Sequence, residues 1–93
     1  MIKSFSNHEL EDFYYDGLKK KINPNHIKKL ELILERLNQS SDVEKDMNYP
    51  GSNLHKLEPK KDNRWSVSVN GNWRVTFVFK DGDAYEVNYC DYH

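Results

Sequence analysis

One cysteine, Cys90, is all the chain holds, so no disulfide can close within it. That fits a reducing compartment such as the cytoplasm. No apolar run is long enough for a signal or membrane segment, and the expectation is a cytoplasmic protein with no membrane partner. The four histidines and the cysteine, at positions 8, 26, 55, 90 and 93, show no metal-ligand spacing, so neither a metal nor another cofactor is expected. Repeats and low-complexity segments are absent. So is a charge excess: 14 basic residues stand against 15 acidic ones, which gives no global sign of a protein built to coat a polyanion.

What is present fits one small domain, residues 1–93, able to bury a modest core. Its organising stretch runs from Arg64 to His93. Apolar or aromatic residues fall at Trp65, Val67 and Val69, then at Trp73, Val75, Phe77 and Phe79, then at Tyr85, Val87 and Tyr89. Each set has period two, which predicts three strands that bury one face each. Keeping those faces together predicts three-residue loops, because a one-residue slip would send a strand's apolar set into solvent. Across Asn70-Gly71-Asn72 this pairs Val69 with Trp73, Val67 with Val75 and Trp65 with Phe77. Across Asp81-Gly82-Asp83 it pairs Lys80 with Ala84, Thr76 with Asn88 and Arg74 with Cys90.

Upstream, Ile2, Ser4 and Phe5 read as a short first strand and His8 to Asp16 as a helix, with a cap at Ser6-Asn7 and Gly17 as its stop. A second helix opens at Asn23-Pro24, where a capping side chain precedes a residue whose missing N–H costs nothing. Ile27, Leu30, Ile33, Leu34 and Leu37 give it an apolar stripe. Asp42 to Met47 allows one further turn, and Asn53 to Leu57 a short strand returning the chain to the sheet. This order is α+β: two N-terminal helices packed on one face of a small, mainly antiparallel, twisted sheet, with the other face open.

The open face carries the chemistry. Ser66, Ser68, Arg74, Thr76, Glu86 and Asn88 are predicted to point away from the core, with Arg74 in the middle strand and Asp91-Tyr92-His93 gathered beside it. Between Gly51 and Phe77, Lys56, Lys60, Lys61, Arg64 and Arg74 stand against Glu58 and Asp62, a local cationic patch suited to gripping a polyanion at one place. Cleaving RNA without a metal requires a base for the 2′-hydroxyl, an acid for the leaving 5′-oxygen and fixed positive charge for the transition state. His93 suits either proton role, with an ordinary pKa of about 6.5. Asp91 can act as a base or hold the imidazole, Tyr92 can donate a proton or stack on a base, and Arg74 offers a planar fork to phosphate. His55, with Lys56 beside it, is a second acid/base candidate. Cys90 is expected to be a packed structural thiol.

The run from Asn70 to Phe77, Gly82-Asp83-Ala84-Tyr85, the closing Asp91-Tyr92-His93, the opening Met1 to Phe5 and Leu54-His55-Lys56-Leu57 resemble, in order and spacing, the HigB-type toxins of the RelE/ParE superfamily. The likeness implies a RelE-like, microbial-ribonuclease-like fold and the toxin of a type II toxin–antitoxin pair. It also implies a ribosome-dependent mRNA endoribonuclease that cuts message in the 30S A site by 2′-hydroxyl attack, leaving a 2′,3′-cyclic phosphate. Its catalytic residues would fall on His55, Arg74, Asp91, Tyr92 and His93, with Lys56, Lys60, Lys61 and Arg64 contacting RNA or ribosome. A HigA-like helix-turn-helix antitoxin would neutralise it and alone connect it to operator DNA. One departure stands out: where the family has Lys-Gly after the His-x-Leu segment, this chain has Glu58-Pro59. The alternatives are a ParE-like binder that poisons gyrase and an inactive remnant kept for binding its antitoxin.

Overall fold

The computed structural model describes residues 1–57 and 63–91. Glu58 to Asp62, with Lys60 and Lys61, lie outside the described residues, as do Tyr92 and His93.

Helix α1 spans His8–Asp16. The Asn7 side chain caps it by accepting from the Leu10 N–H at 3.0 Å. Gly17 ends it in the left-handed region (φ 70°), its N–H returning to the Phe13 carbonyl. A single 3-10 turn, Pro24–His26, leads into α2, Ile27–Gln39. Asn23 caps that turn through the Asn25 N–H, as its place before Pro24 predicts. A third helix, α3, is one turn long, Val43–Asp46, capped by Asp42.

Four strands follow: β1 His55–Lys56, β2 Arg64–Asn70, β3 Trp73–Lys80 and β4 Asp83–Asp91. They form one antiparallel sheet in the order β1-β2-β3-β4. The N-terminal segment lies along the outer side of β4 and runs parallel to it. The predicted first strand is reduced to two isolated bridges, Ile2 with Ala84 and Phe5 with Val87.

Leu10, Phe13, Leu30, Ile33, Leu34 and Leu37 of the helices share one core with Val67, Val69, Val75, Phe77, Ala84, Val87 and Tyr89 of the sheet. The other sheet face carries no helix. Burying these side chains supplies most of the favourable free energy, at roughly 1.5–3 kcal/mol for each large one.

The register matches the predicted pairing in the middle of both hairpins and departs from it at the turns. Val67 faces Val75, Trp65 faces Phe77, Thr76 faces Asn88 and Arg74 faces Cys90, as expected. At the first turn, however, Asn70 rather than Val69 pairs with Trp73, and Val69 is the extra residue of a bulge. Val69 stays buried because the bulge absorbs the change of parity.

The second turn is also tighter than predicted. Lys80 pairs with Asp83 across a two-residue Asp81-Gly82 turn, with φ of 53° and 80°. Two positive φ values match the strand twist, and Asp-Gly accommodates them readily. Such a turn shifts β4 by one residue, and a bulge at Glu86 (φ 53°) restores the register before Asn88. Ala84 therefore enters the core in place of Tyr85. Tyr85 turns to the other face, opposite Val78, with Lys80 Nζ 5.3 Å from its ring centre.

The same bulge explains the broken N-terminal ladder. The Glu86 N–H donates to Ser4 Oγ (2.9 Å), and Ser6 Oγ donates to the Glu86 carbonyl (3.2 Å). Two serines thus take up the backbone groups that the bulge frees from its neighbouring strand.

Candidate active site

Residues paired across an antiparallel ladder share a face, and alternate residues along a strand return to it. His55, Ser66, Thr76 and Asn88 form one row across the helix-free face. Ser68, Arg74 and Cys90 form the next row. His55 and Arg74 therefore lie on one face, two strands and one row apart, a backbone separation of about 12 Å from ordinary sheet spacings. A bound ribose-phosphate would have to bridge that gap.

The face is less open than its polar residues suggest. Ser66 is 1% exposed and Thr76 5%, although both were expected in solvent. Both are short and lie side by side in the row, flanked by His55 and Asn88. Among the described residues, Ser66 Oγ is buried with no hydrogen-bond partner.

Arg74 is the other unsatisfied group on this face. It is half-buried, and its Nη1 is shielded from solvent with no hydrogen-bond partner among the described residues. An unused guanidinium donor out of water carries a desolvation cost that a bound oxyanion would relieve. A phosphate fits that description, since it accepts from two guanidinium nitrogens at once.

The His55 ring is exposed, and its Nδ1 lies 3.0 Å from the Asn53 carbonyl oxygen. A carbonyl can only accept, so Nδ1 is the donor and the neutral ring presents Nε2 as a free acceptor. The contact thus selects the tautomer that a general base needs.

Among the described residues, the predicted cations do not form one cluster. Lys56 pairs in register with Trp65 and holds its Nζ 5.4 Å from that ring, on the side of the sheet opposite His55. Arg64 shares the face of Arg74 but is bonded to the Glu86 carboxylate at 2.8 Å.

Asp91 takes the register position opposite Trp73, one residue beyond the Arg74–Cys90 pair, and is exposed. By alternation that position belongs to the helix side of the sheet. Cys90, facing Arg74, has its thiol pKa pushed up, chiefly by burial and secondarily by the Asp91 charge. A half-buried thiol with a raised pKa is in line with the structural role expected from the sequence. Among the described residues, no group of three or more His, Cys, Asp or Glu side chains could hold a metal ion.

Beneath the Arg74 end of β3 lies a cluster that the sequence reading did not find. His26 is 3% exposed, and its Nδ1 is 2.6 Å from the Tyr89 hydroxyl. Tyr89 stacks on Trp73 at 4.7 Å between ring centres, and His26 meets Trp73 at 5.5 Å, tilted toward edge-on. The signal was available in the spacing, since His26 falls four residues before Leu30 and so belongs to the stripe of Leu30, Ile33 and Leu37.

Comparison with known proteins agrees with this architecture. The family described as RelE-like toxin of type II toxin–antitoxin system HigB matches residues 3–93. A protein of Proteus vulgaris named Endoribonuclease HigB is 32% identical over 93 residues, covering all of both chains. In the structure no helix among the described residues is long and apolar enough to cross a membrane. An α+β fold, a family match over nearly the whole length and a full-length relative lead to one conclusion: this chain belongs to the HigB-like family of RelE-like toxins of type II toxin–antitoxin systems.

Proposed function

We propose that the protein is an endoribonuclease that cuts messenger RNA on the ribosome and is neutralised by a HigA-like helix-turn-helix antitoxin. The observation that carries this reading is the buried, unpartnered Nη1 of Arg74 on the open face. The name of the Proteus vulgaris relative supports ribonuclease chemistry as the use of that face.

In the proposed reaction the 2′-hydroxyl attacks the adjacent phosphorus, the bond to the 5′-oxygen breaks, and a 2′,3′-cyclic phosphate remains. The hydroxyl proton passes to a base and the leaving oxygen takes one from an acid. His55 Nε2 and the His93 imidazole are the candidates for these two roles, with Tyr92 assisting and Asp91, at a register position on the helix side, proposed to hold the strand end that leads to them. Arg74 neutralises the charge that builds on the phosphoryl oxygens. The chemistry asks for no metal. Lys56, Lys60, Lys61 and Arg64 are the proposed contacts to RNA or ribosome. So small a patch grips free RNA weakly at cellular salt, and a ribosome that already holds the message supplies most of the orientation.

The test is expression of the wild type, Arg74→Ala and His93→Gln in cells, with growth and primer extension on total RNA as readouts. Cuts within reading frames for the wild type, and growth with intact messages for both variants, are the expected result. An SOS response with uncut messages would replace the nuclease by a gyrase poison.

A further inference from the structure

The buried His26–Tyr89–Trp73 cluster sits where the active-site face is built, yet none of its groups reaches that face. Trp73 immediately precedes Arg74 on β3, and Tyr89 immediately precedes Cys90, the register partner of Arg74. Asp91, opposite Trp73, is the next residue along β4. The stacked pair Trp73–Tyr89 therefore lies on the reverse side of the backbone that carries Arg74 and leads into Asp91.

His26 fixes that pair to the helical layer. The Tyr89 phenol, its pKa raised by burial against a smaller lowering from the Asn23 backbone, stays protonated at neutral pH, and its hydroxyl shares a 2.6 Å hydrogen bond with His26 Nδ1. That contact, with the Asn23 backbone beside it, ties the 3-10 turn ahead of α2 to β4. Below the ring, Asn7 adds a second tie: its Nδ2 donates to the Tyr89 carbonyl (3.0 Å) and to Asn88 Oδ1 (3.2 Å).

We infer that His26 is a positioning residue: by holding the Tyr89 hydroxyl from beneath the sheet, it sets where the end of β4 lies relative to Arg74. A strand that ends a sheet frays by default, because its last residues have neighbours on one side only. Pinning Tyr89 two residues before Asp91 restrains that fraying at the point where the acid/base groups are proposed to act. A misplacement of about 1 Å is enough to cost on the order of a hundredfold in rate. The importance of this restraint for catalysis rests on the ribonuclease reading above, whereas the restraint itself does not.

The experiment compares wild type, His26→Phe, His26→Gln and Arg74→Ala below their melting temperatures. It uses two readouts: amide hydrogen exchange at Cys90 and Asp91, and the cleavage rate of ribosome-bound message at saturating toxin. His26→Phe keeps a buried ring and loses the hydrogen-bond partner, whereas His26→Gln retains both a donor and an acceptor for the Tyr89 hydroxyl. Faster exchange confined to the end of β4 and a cleavage rate about tenfold or more below wild type in His26→Phe, both largely restored in His26→Gln, are expected. A merely structural histidine would lower the melting temperature without moving either readout selectively. Unchanged exchange at Cys90 and Asp91 would overturn the inference whatever the activity. So would faster exchange with full cleavage while Arg74→Ala is inactive. If wild type cuts no message at all, the ribonuclease reading fails, and the exchange data alone decide whether His26 restrains the strand. If His26→Phe does not fold, Tyr89→Phe, which removes only the hydroxyl, takes its place with the same outcomes.

Discussion

Arg74→Met should make the protein more stable and less active. The substitution keeps a flexible aliphatic stem against the sheet and removes the guanidinium, one nitrogen of which is buried with no hydrogen-bond partner among the described residues. An unsatisfied buried donor costs about 1–3 kcal/mol. Because the arginine as a whole is half-buried, its other nitrogens keep part of their hydration, and the expected gain is at the lower end, about 1 kcal/mol. In a domain of this size that corresponds to a rise in Tm of roughly 4–8 °C. Cleavage should fall by about two to three orders of magnitude, the usual loss when a donor to a developing oxyanion is removed. Thermal unfolding followed by circular dichroism reads the first effect, and single-turnover cleavage of ribosome-bound message reads the second. A fall in Tm of several degrees would refute the reasoning, because it would mean that the guanidinium is satisfied within the fold and serves the sheet rather than a ligand.

Asn7 both caps α1 and bonds to β4, so Asn7→Ala should cost about 1 kcal/mol for the cap and about 1 kcal/mol for each lost bond from Nδ2. Asn7→Asp keeps the cap alone, and a melting temperature equal to wild type in that variant would show that the bonds to β4 contribute nothing. Cys90, with its thiol pKa raised by burial and by Asp91, should react with iodoacetamide at pH 7.5 far more slowly in the native protein than in guanidinium-unfolded protein. Equal rates would contradict its packing. The Asp46 carboxylate accepts from the Asp42 and Ser41 backbone N–H groups, which holds its pKa below the ordinary 3.8. A depressed carboxylate contributes stability that is present above the unfolded value and is lost as pH falls through the folded one. Carbon-13 titration of Asp46 should therefore give a midpoint under 3.8, and a midpoint at or above it would remove these bonds from the account of α3.

The helical half was legible in the sequence because each boundary is written in local chemistry. Asn7 and Gly17 bracket α1, Asn23-Pro24 opens the turn into α2, and the leucine stripe states which side is buried. Both hairpins were legible in their centres, where period-two burial admits one pairing. The turns were not, because parity can be kept either by a three-residue loop or by a two-residue turn followed by a bulge, and the apolar pattern before the bulge looks the same in both. Glu86 gives no sign of its positive φ, so Tyr85 was placed in the core that Ala84 fills. At the site, the pairing of Arg74 with Cys90 was legible from the period-two pattern. The sequence also set Lys56 beside His55 as if both served one site. A two-residue strand sends neighbours to opposite faces, and only the register decides which of them joins Arg74.

The attachment of residues 1–6 along β4 has a consequence for the order of events during synthesis. Met1 places its amino group 3.2 Å from Asp83, and Lys3 and Ser6 donate their N–H groups to Ala84 and Val87. A nascent chain emerging from the ribosome can form α1, α2 and the β2–β3 hairpin from nearby residues, but its first segment has no strand to join until β4 has been made. Closing so wide a loop is slow compared with forming local contacts. The finished sheet, and with it the surface bearing Arg74, is therefore assembled late.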